Sequence, residues 1–91
     1  MDNDVTLSFA EIDLLRHMIR FEYFRVKKGK YSAYRNSFAT YKPNPKLERM
    51  CDLGVCSKRV SELSGRPLYY FLTEKGAELL SEYLGVTVAL Q

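Results

Sequence analysis

The stretch from Lys46 to Leu84, together with the Asn-Pro pair before it, constrains the fold most, because each element boundary carries its own chemical signal. Asn44 and Pro45 predict a helix start, since an Asn side chain accepts free backbone N–H groups and proline needs no partner at the first helical position. Gly54 predicts the end of this helix, because glycine readily adopts the left-handed backbone found there. So short a helix, about ten residues, must be held by packing.

A hairpin and another helix are predicted to follow. Alternating polar and apolar residues from Lys58 predict a half-buried strand. The Ser64–Pro67 segment predicts a turn, and the aromatic-rich run Leu68–Leu72 predicts a more buried return strand. Thr73 can then cap a helix that Gly85 closes.

The N-terminal half carries weaker signals. Residues 1–7 are predicted to form a flexible arm. Ser8 and Glu11 have the spacing of a capping box, in which each side chain bonds to the other residue's backbone N–H group. The apolar periodicity that follows predicts a helix to about Arg25, and aromatic residues at three- and four-residue intervals predict a short second helix from Ser32 to about Ala39.

The exit from the hairpin carries a resemblance to a known family. The run Tyr70–Leu80, taken with the Leu47–Val55 helix and the hairpin between them, resembles the second half of a winged-helix domain of the MarR and PadR transcription regulators. The likeness covers roughly the C-terminal half. It implies an α+β fold over residues 1–91: a small winged helix-turn-helix-like domain of three to four helices with a two-stranded β-hairpin wing.

A second resemblance covers most of the chain. Leu15–His17, Tyr34–Asn36 and the Leu53–Gly54 pair are similar to small uncharacterised proteins of phages and prophages. This second resemblance carries no known activity. The winged-helix resemblance implies a nucleic-acid-binding transcription regulator, here of phage or prophage type, with double-stranded DNA as its partner. Pro43 and Pro45 depart from the regulators, because they shorten the helix that reads base edges in such domains.

Charge is distributed unevenly along the chain. From Arg16 through Arg49 there are ten basic residues and only two acidic ones, Glu22 and Glu48. This asymmetry predicts contact with nucleic acid or another polyanion. The alternatives are a solvated basic face or a face that docks an acidic part of a second subunit. The Lys27–Lys30 cluster is also explained in part as the end of the first helix, where cations and glycine are favourable.

Candidate nucleic-acid contacts come from the basic segments around the predicted short helices and the wing. They are Arg35, Asn36, Lys42, Lys46, Arg49, Lys58, Arg59 and Arg66. Asn36 also fits an ordinary capping role. Tyr31, Tyr34 and Tyr41 fit the core face of a helix, or alternatively platforms on which single-stranded bases stack while neighbouring cations bind phosphates.

No residue pattern predicts a reaction. Cys51, Cys56 and the single histidine, His17, do not make a four-ligand zinc site, so the cysteines are interpreted as buried thiols and His17 as a structural hydrogen-bond partner. The sequence contains no phosphate loop, paired-glycine nucleotide turn or nucleophile motif. We expect a protein that is not an enzyme and that has no cofactor or metal.

The rival function is protein–protein interaction. On this interpretation a phage accessory protein uses the winged-helix scaffold to bind a partner through exposed aromatic residues. A homodimer is also expected, with the first helix and the segment Val86–Leu90 as candidate interfaces; that segment fits either a terminal strand or an arm onto a partner. No apolar run approaches the roughly 18 residues of a membrane span, and the acidic start is not a secretory signal. These features predict a cytoplasmic protein, in a bacterial or phage-infected cell, with no membrane partner.

Overall fold

Helices and short strands alternate along the part of the chain that the structure, a computed structural model, describes: residues 6–60 and 68–90. The helices are α1 Phe9–Ile19, α2 Pro45–Asp52 and α3 Glu74–Leu84, with a 3₁₀ turn at Tyr23–Arg25. The strands are β1 Lys30–Ser32, β2 Phe38–Thr40, β3 Cys56–Val60, β4 Leu68–Leu72 and β5 Thr87–Ala89. In these two ranges no helix has the length and apolar character needed to cross a membrane.

The three helices begin at the predicted caps. The Ser8 N–H donates to Glu11 Oε1 at 2.8 Å and the Glu11 N–H donates to Ser8 Oγ at 3.2 Å, which confirms the capping box. The side chain of Asn44 accepts from two backbone N–H groups in the first turn of α2. The Thr73 hydroxyl accepts a hydrogen bond from the Gly76 N–H in the first turn of α3. These local signals locate the helix starts because they act within a single turn.

The end of α1 was predicted wrongly. The helix stops at Ile19 instead of continuing to about Arg25. Arg20 adopts a left-handed conformation with a φ of 51°, and the Phe21 N–H donates to the Arg16 carbonyl at 2.9 Å. This geometry satisfies carbonyls at the helix end. It also turns the Phe21 ring back toward the core, so Phe21 is buried although it lies beyond the end of the helix.

Strands β2, β4 and β3 form an antiparallel sheet in that order. Both edge strands pair with β4: Phe38 and Lys58 lie opposite Tyr70 from the two sides. The predicted hairpin strands are therefore confirmed as paired strands, but β3 begins at Cys56 instead of Lys58 and is exposed after its first residue instead of half-buried. The continuation of that predicted strand and the predicted turn at Ser64–Pro67 lie outside the described residues. The α+β class is confirmed, with three strands in this sheet instead of two.

The predicted second helix does not form. Residues 33–44 contain no helix, and the predicted Ser32–Ala39 segment leads from β1 into β2. Tyr31 and Phe38 are seven residues apart, which matches two helical turns, but each belongs to a strand whose partner is distant in sequence. Periodicity along the chain cannot reveal such pairing. Without this helix there is no helix-turn-helix pair before the hairpin, and the winged-helix fold is not confirmed.

The core lies between the helices and one face of the sheet. Its fully buried side chains are Leu15, Met18, Ile19, Tyr31, Leu47, Met50, Val55, Tyr70 and Leu80. Leu7, the last residue of the predicted arm, is also buried, and its N–H donates to the Tyr83 hydroxyl at 2.9 Å. The fold therefore includes the residue just before the first cap.

The C-terminal segment packs within the chain. β5 pairs in parallel with β1, with Tyr31 opposite Val88, and Val88 is buried. Of the two alternatives for Val86–Leu90, the terminal strand is confirmed. The apolar surface that Val88 supplies is used inside the fold.

Candidate nucleic-acid interface

The Lys27–Lys30 cluster forms a tight turn instead of closing a helix. Lys27 and Lys30 exchange backbone hydrogen bonds of 2.9 and 3.0 Å. Lys28 and Gly29 between them have φ values of 55° and 74°, the positive pair typical of a type I′ hairpin turn. Because no helix ends here, the predicted helix-end role of these lysines is wrong. A favourable interaction with the C-terminal end of a helix therefore does not explain the presence of these lysines.

A concave surface lies beside this turn. It is a cleft of about 560 Å³ lined by Phe24, Arg25, Lys27, Lys30 and Ser32. The 3₁₀ turn supplies the first two of these residues and β1 supplies the last two. Successive strand side chains point to opposite sides, so Lys30 and Ser32 face the cleft while Tyr31 between them enters the core.

Two aromatic rings flank the arginine of this cleft. The Arg25 guanidinium carbon lies 4.7 Å from the centroid of the Tyr34 ring and 5.7 Å from that of Phe24, within the range of cation–π attraction. Phe24 is 77% exposed and Tyr34 is 48% exposed. The Arg25 Nε also donates to Glu22 Oε1 at 2.9 Å, which fixes the orientation of the guanidinium. We call Phe24, Arg25, Lys27, Lys30 and Tyr34 the basic–aromatic cleft.

A similar pairing occurs on the adjoining surface. A groove of about 370 Å³ is lined in part by the cations Arg16 and Arg20 and the acids Asp13 and Glu22; Asp13 Oδ1 lies 3.6 Å from Arg16 Nη1. The Arg16 guanidinium carbon is 6.0 Å from the ring centroid of Tyr23, which is 61% exposed. Between residues 16 and 35 the chain has seven basic residues and one acid, Glu22. Positive charge and exposed aromatic surface therefore occur together on both sides of the 3₁₀ turn.

The predicted site residue Arg49 has a partner inside the fold. Its Nη1 donates to Glu11 Oε2 at 2.7 Å, joining α2 to the first turn of α1. Burial acts to raise the pKa of Glu11, but hydrogen bonds from Ser8 and Arg49 outweigh it and lower that pKa below its ordinary value. Since the Glu11 side chain is only 6% exposed, Arg49 compensates a nearly buried charge.

Lys58 is engaged in a second internal contact. Its ammonium donates to Glu48 Oε1 at 2.7 Å, and the Tyr70 hydroxyl donates to the other Glu48 oxygen. The hydrogen bond from Lys58, followed by that from Tyr70, lowers the pKa of Glu48; the same bond to Glu48 raises the pKa of Lys58. Lys58 thus neutralises a carboxylate between α2 and the sheet.

The predicted site residues do not share one face. Lys58 and Arg59 are neighbours on β3, so their side chains leave opposite faces of the sheet. Lys58 lies on the α2 side, whereas the Arg59 guanidinium carbon is 5.8 Å from the Phe71 ring centroid. Lys42 and Lys46 are exposed near the start of α2, and Arg35 is exposed in the loop after β1. Arg66 lies outside the described residues.

Asn36 binds backbone. Its Nδ2 donates to the Leu72 carbonyl at 3.0 Å, and the Leu72 N–H donates to Asn36 Oδ1 at 2.8 Å. Both hydrogen-bonding groups of the amide are thereby committed to the end of β4. This arrangement favours the local backbone-bonding role over reading of a base edge.

We expect Asn36→Ala to destabilise the fold by about 1–3 kcal/mol, because the Leu72 N–H and carbonyl both lose their partner. Urea unfolding of the variant measures this loss. Asn36→Asp tests the two hydrogen bonds separately. It keeps an acceptor for the Leu72 N–H, but it replaces the donor to the Leu72 carbonyl with an oxygen. Unchanged stability combined with weaker nucleic-acid binding would instead place Asn36 in the interface.

The two thiols are not positioned as nucleophiles. Burial, followed by the neighbouring Cys51, raises the pKa of Cys56 to about 12. Burial likewise raises the pKa of Cys51, which is half-buried. Both groups are therefore protonated at neutral pH and unreactive. The prediction of a buried thiol is confirmed for Cys56 and holds only in part for Cys51.

The predicted residues omit four members of the cleft: Phe24, Arg25, Lys27 and Lys30. The sequence predicts Arg25 as the end of the first helix and the lysines as its terminal cations. The available signal was the interleaving of aromatic and basic residues from Tyr23 to Tyr34. Of the three tyrosines considered as stacking platforms, Tyr31 is fully buried, while Tyr34 and Tyr41 are exposed.

Comparison of the chain with known protein families, with curated proteins and with solved structures finds no match. The resemblance to MarR and PadR regulators therefore stays a prediction, and the basic–aromatic cleft is the strongest indication of function in the described residues.

Proposed function

We propose that this chain is a non-enzymatic nucleic-acid-binding domain that holds its ligand in the basic–aromatic cleft. The observation that carries the proposal is Arg25, placed beside the exposed rings of Phe24 and Tyr34, with Lys27 and Lys30 lining the same concavity. Cations bind phosphates and aromatic rings stack on bases, so this combination matches both parts of a nucleotide.

The charge distribution supports the same assignment. Seven basic residues against one acid between positions 16 and 35 create a positive potential around the cleft. Such a potential attracts a polyanion over a distance of about one Debye length, ~8–10 Å at ordinary salt concentrations. Lys42 and Lys46, exposed at the start of α2, are proposed as additional phosphate contacts.

A role in phage or prophage transcription, implied by the sequence resemblance, is compatible with such binding. The same resemblance implies double-stranded DNA as the ligand. Base reading by a helix-turn-helix forms no part of the proposal, because residues 33–44 contain no helix ahead of α2. The proposed phosphate contacts position the protein without specifying sequence, and stacking of bases on the aromatic rings is likewise sequence-tolerant.

Protein–protein interaction is the second candidate function. It is favoured by the exposure of Phe9, Tyr23 and Phe24, which are 83%, 61% and 77% exposed. Aromatic rings are common at the centre of protein interfaces. A partner that covers Tyr23 and Phe24 would also have to neutralise the surrounding cations, which points to an acidic protein surface.

We expect Lys27→Gln with Lys30→Gln to weaken nucleic-acid binding and to flatten its salt dependence. Removing two phosphate contacts should reduce the slope of log K against log salt by about 1.4–1.8, since each contact contributes about 0.7 for single strands and 0.9 for duplexes. Fluorescence anisotropy of a labelled oligonucleotide, measured from about 50 to 200 mM salt, gives the slope. Glutamine keeps an uncharged polar side chain of similar, slightly shorter, length while removing the charge.

Lys42→Gln with Lys46→Gln is the comparison variant, because it removes the same charge from the additional phosphate contacts proposed at the start of α2. We expect it to lower affinity less than the cleft variant does, since no aromatic stacking surface adjoins these two lysines in the proposal. A larger effect at Lys42 and Lys46 would move the site to α2. If the folded wild-type protein fails to bind either single or double strands at low salt, the proposed function is wrong and an acidic protein partner becomes the better candidate.

A further inference from the structure

We infer that the ligand of the basic–aromatic cleft is single-stranded nucleic acid, with bases stacked on Phe24 and Tyr34 and phosphates bound by Lys27 and Lys30. This inference rests on the proposed function and names its ligand class. It departs from the duplex DNA that the sequence resemblance implies.

The exposure of Phe24 is the first argument. Its ring is 77% exposed although the adjoining Phe21 is buried, so the 3₁₀ turn separates one core ring from one surface ring. A phenyl ring offers a ligand no hydrogen bond or charge, and stacking is the contact through which it recognises a base. Bases inside a duplex are already stacked, whereas a single strand presents free base faces.

The fixed position of Arg25 is the second argument. Glu22 holds its Nε at 2.9 Å, and the Tyr34 ring centroid lies 4.7 Å from its guanidinium carbon. These two contacts restrict the half-exposed side chain, so it loses less rotational freedom on ligand binding than an arginine with neither contact would. A guanidinium beside two aromatic rings also provides a planar surface on which a base can stack, in addition to its charge.

The shape of the site is the third argument. The cleft is a concavity of about 560 Å³ next to a two-residue turn, with Lys27 and Lys30 at its edge. An unstacked base can enter such a concavity while the adjoining phosphates reach the lysines. The major groove of a duplex instead accepts a protruding helix or β-ribbon. The cleft itself is built from a 3₁₀ turn and a three-residue strand.

Phe24→Trp provides a direct probe of stacking. The chain contains no tryptophan, so the variant has a single indole emitter. We expect oligothymidylate of about 12 nucleotides, within the range of a single-strand site, to quench its fluorescence, and a duplex of equal length to leave it nearly unchanged. Phe9→Trp is the matched control, because Phe9 is 83% exposed at the start of α1, outside the cleft. Its fluorescence should not respond to the single strand.

Phe24→Leu tests the energetic contribution of the ring. Loss of one base–aromatic stack, about 1–3 kcal/mol, should lower affinity for the single strand about 5- to 150-fold while leaving duplex affinity within about twofold. Equal quenching of Phe24→Trp by both ligands, or unchanged single-strand affinity in Phe24→Leu, would overturn the single-strand inference while leaving nucleic-acid binding intact. Absence of binding to both ligands by the folded protein would overturn the proposed function itself.

Discussion

Gly76→Ala is expected to destabilise the fold by about 3 kcal/mol or more, which for a domain of this size lowers the melting temperature by about 12–24 °C. A Cβ atom at Gly76 would lie 2.6 Å from Leu72 Cδ1 and 3.0 Å from the Val55 carbonyl carbon, with the Val55 oxygen closer still. Because two of these three atoms are backbone, no side-chain rotation relieves the clash. α3 would have to move away from the strands.

The direction of this effect is unusual for a helix. In an exposed helix interior, replacing glycine by alanine stabilises by about 1 kcal/mol, because glycine has the poorer helix propensity. Close packing on Val55 reverses the sign at Gly76. Glu78→Ala, on the exposed side of α3, is the matched control and should change stability by no more than about 0.5 kcal/mol. Thermal unfolding followed by circular dichroism compares the two variants. An equally small change at Gly76 would contradict the packing of α3 described above.

Tyr31→Ala should destabilise the fold far more than Tyr34→Ala does, although the two residues are identical in type and three positions apart. Tyr31 is fully buried, and its hydroxyl lies within hydrogen-bond distance of the carbonyls of Ile19 and Arg20 at the end of α1. Its truncation should cost about 3–5 kcal/mol. Tyr34 is half exposed, and its truncation should cost only about 0.5–1 kcal/mol from the lost contact with Arg25.

Binding should respond in the reverse order. Tyr34→Ala removes a stacking surface and should weaken single-strand affinity about fivefold or more. Tyr31→Phe, which keeps the core ring and loses only the hydroxyl, should fold and bind normally with a loss of about 1 kcal/mol in stability. Urea unfolding and anisotropy titration separate the two effects. Equal losses of stability in Tyr31→Ala and Tyr34→Ala would contradict the burial of Tyr31 and the exposure of Tyr34.

The elements predicted correctly are those whose boundaries act locally. Asn44 and Pro45 start α2, and Thr73 and Gly85 delimit α3, as the sequence predicted. Asn44 and Thr73 accept hydrogen bonds from N–H groups in the first turn, Pro45 lacks the N–H that would need a partner, and Gly85 adopts the left-handed backbone at the helix end. Each effect is confined to one helical turn and does not depend on the rest of the fold. The strands around Tyr70 were predicted for a related reason, because the aromatic-rich run favours a pleated, half-buried surface.

The errors occur where distant segments decide the structure. Lys30–Ser32 becomes a strand because it pairs with Thr87–Ala89, and Phe38–Thr40 because it pairs with Leu68–Tyr70. The spacing of apolar residues within each segment does not show that it pairs with a distant strand. The early end of α1 follows from the same cause, since Tyr31 reaches the carbonyls at the helix end only after the chain has reversed at the Lys28–Gly29 turn.

The candidate site was harder to predict than the fold. Positive charge and position around the predicted short helix and wing selected Arg49 and Lys58, which the structure pairs with Glu11 and Glu48. A sequence shows how many cations a segment has but not which carboxylates they meet across the fold. The basic–aromatic cleft depends on the 3₁₀ turn and the hairpin reversal, which together bring Arg25 against Tyr34. Neither turn was predicted.

The most direct test of the basic–aromatic cleft is a map of amide chemical shifts in the ¹H–¹⁵N NMR spectrum as single-stranded oligonucleotide is added to the wild-type protein. We predict that the largest changes fall between Tyr23 and Tyr34, with smaller ones near Lys42 and Lys46. Changes concentrated in α2 and β3, with residues 23–34 unaffected, would contradict the assignment of the cleft. So would a spectrum that does not change under low-salt conditions, where binding to phosphates is strongest.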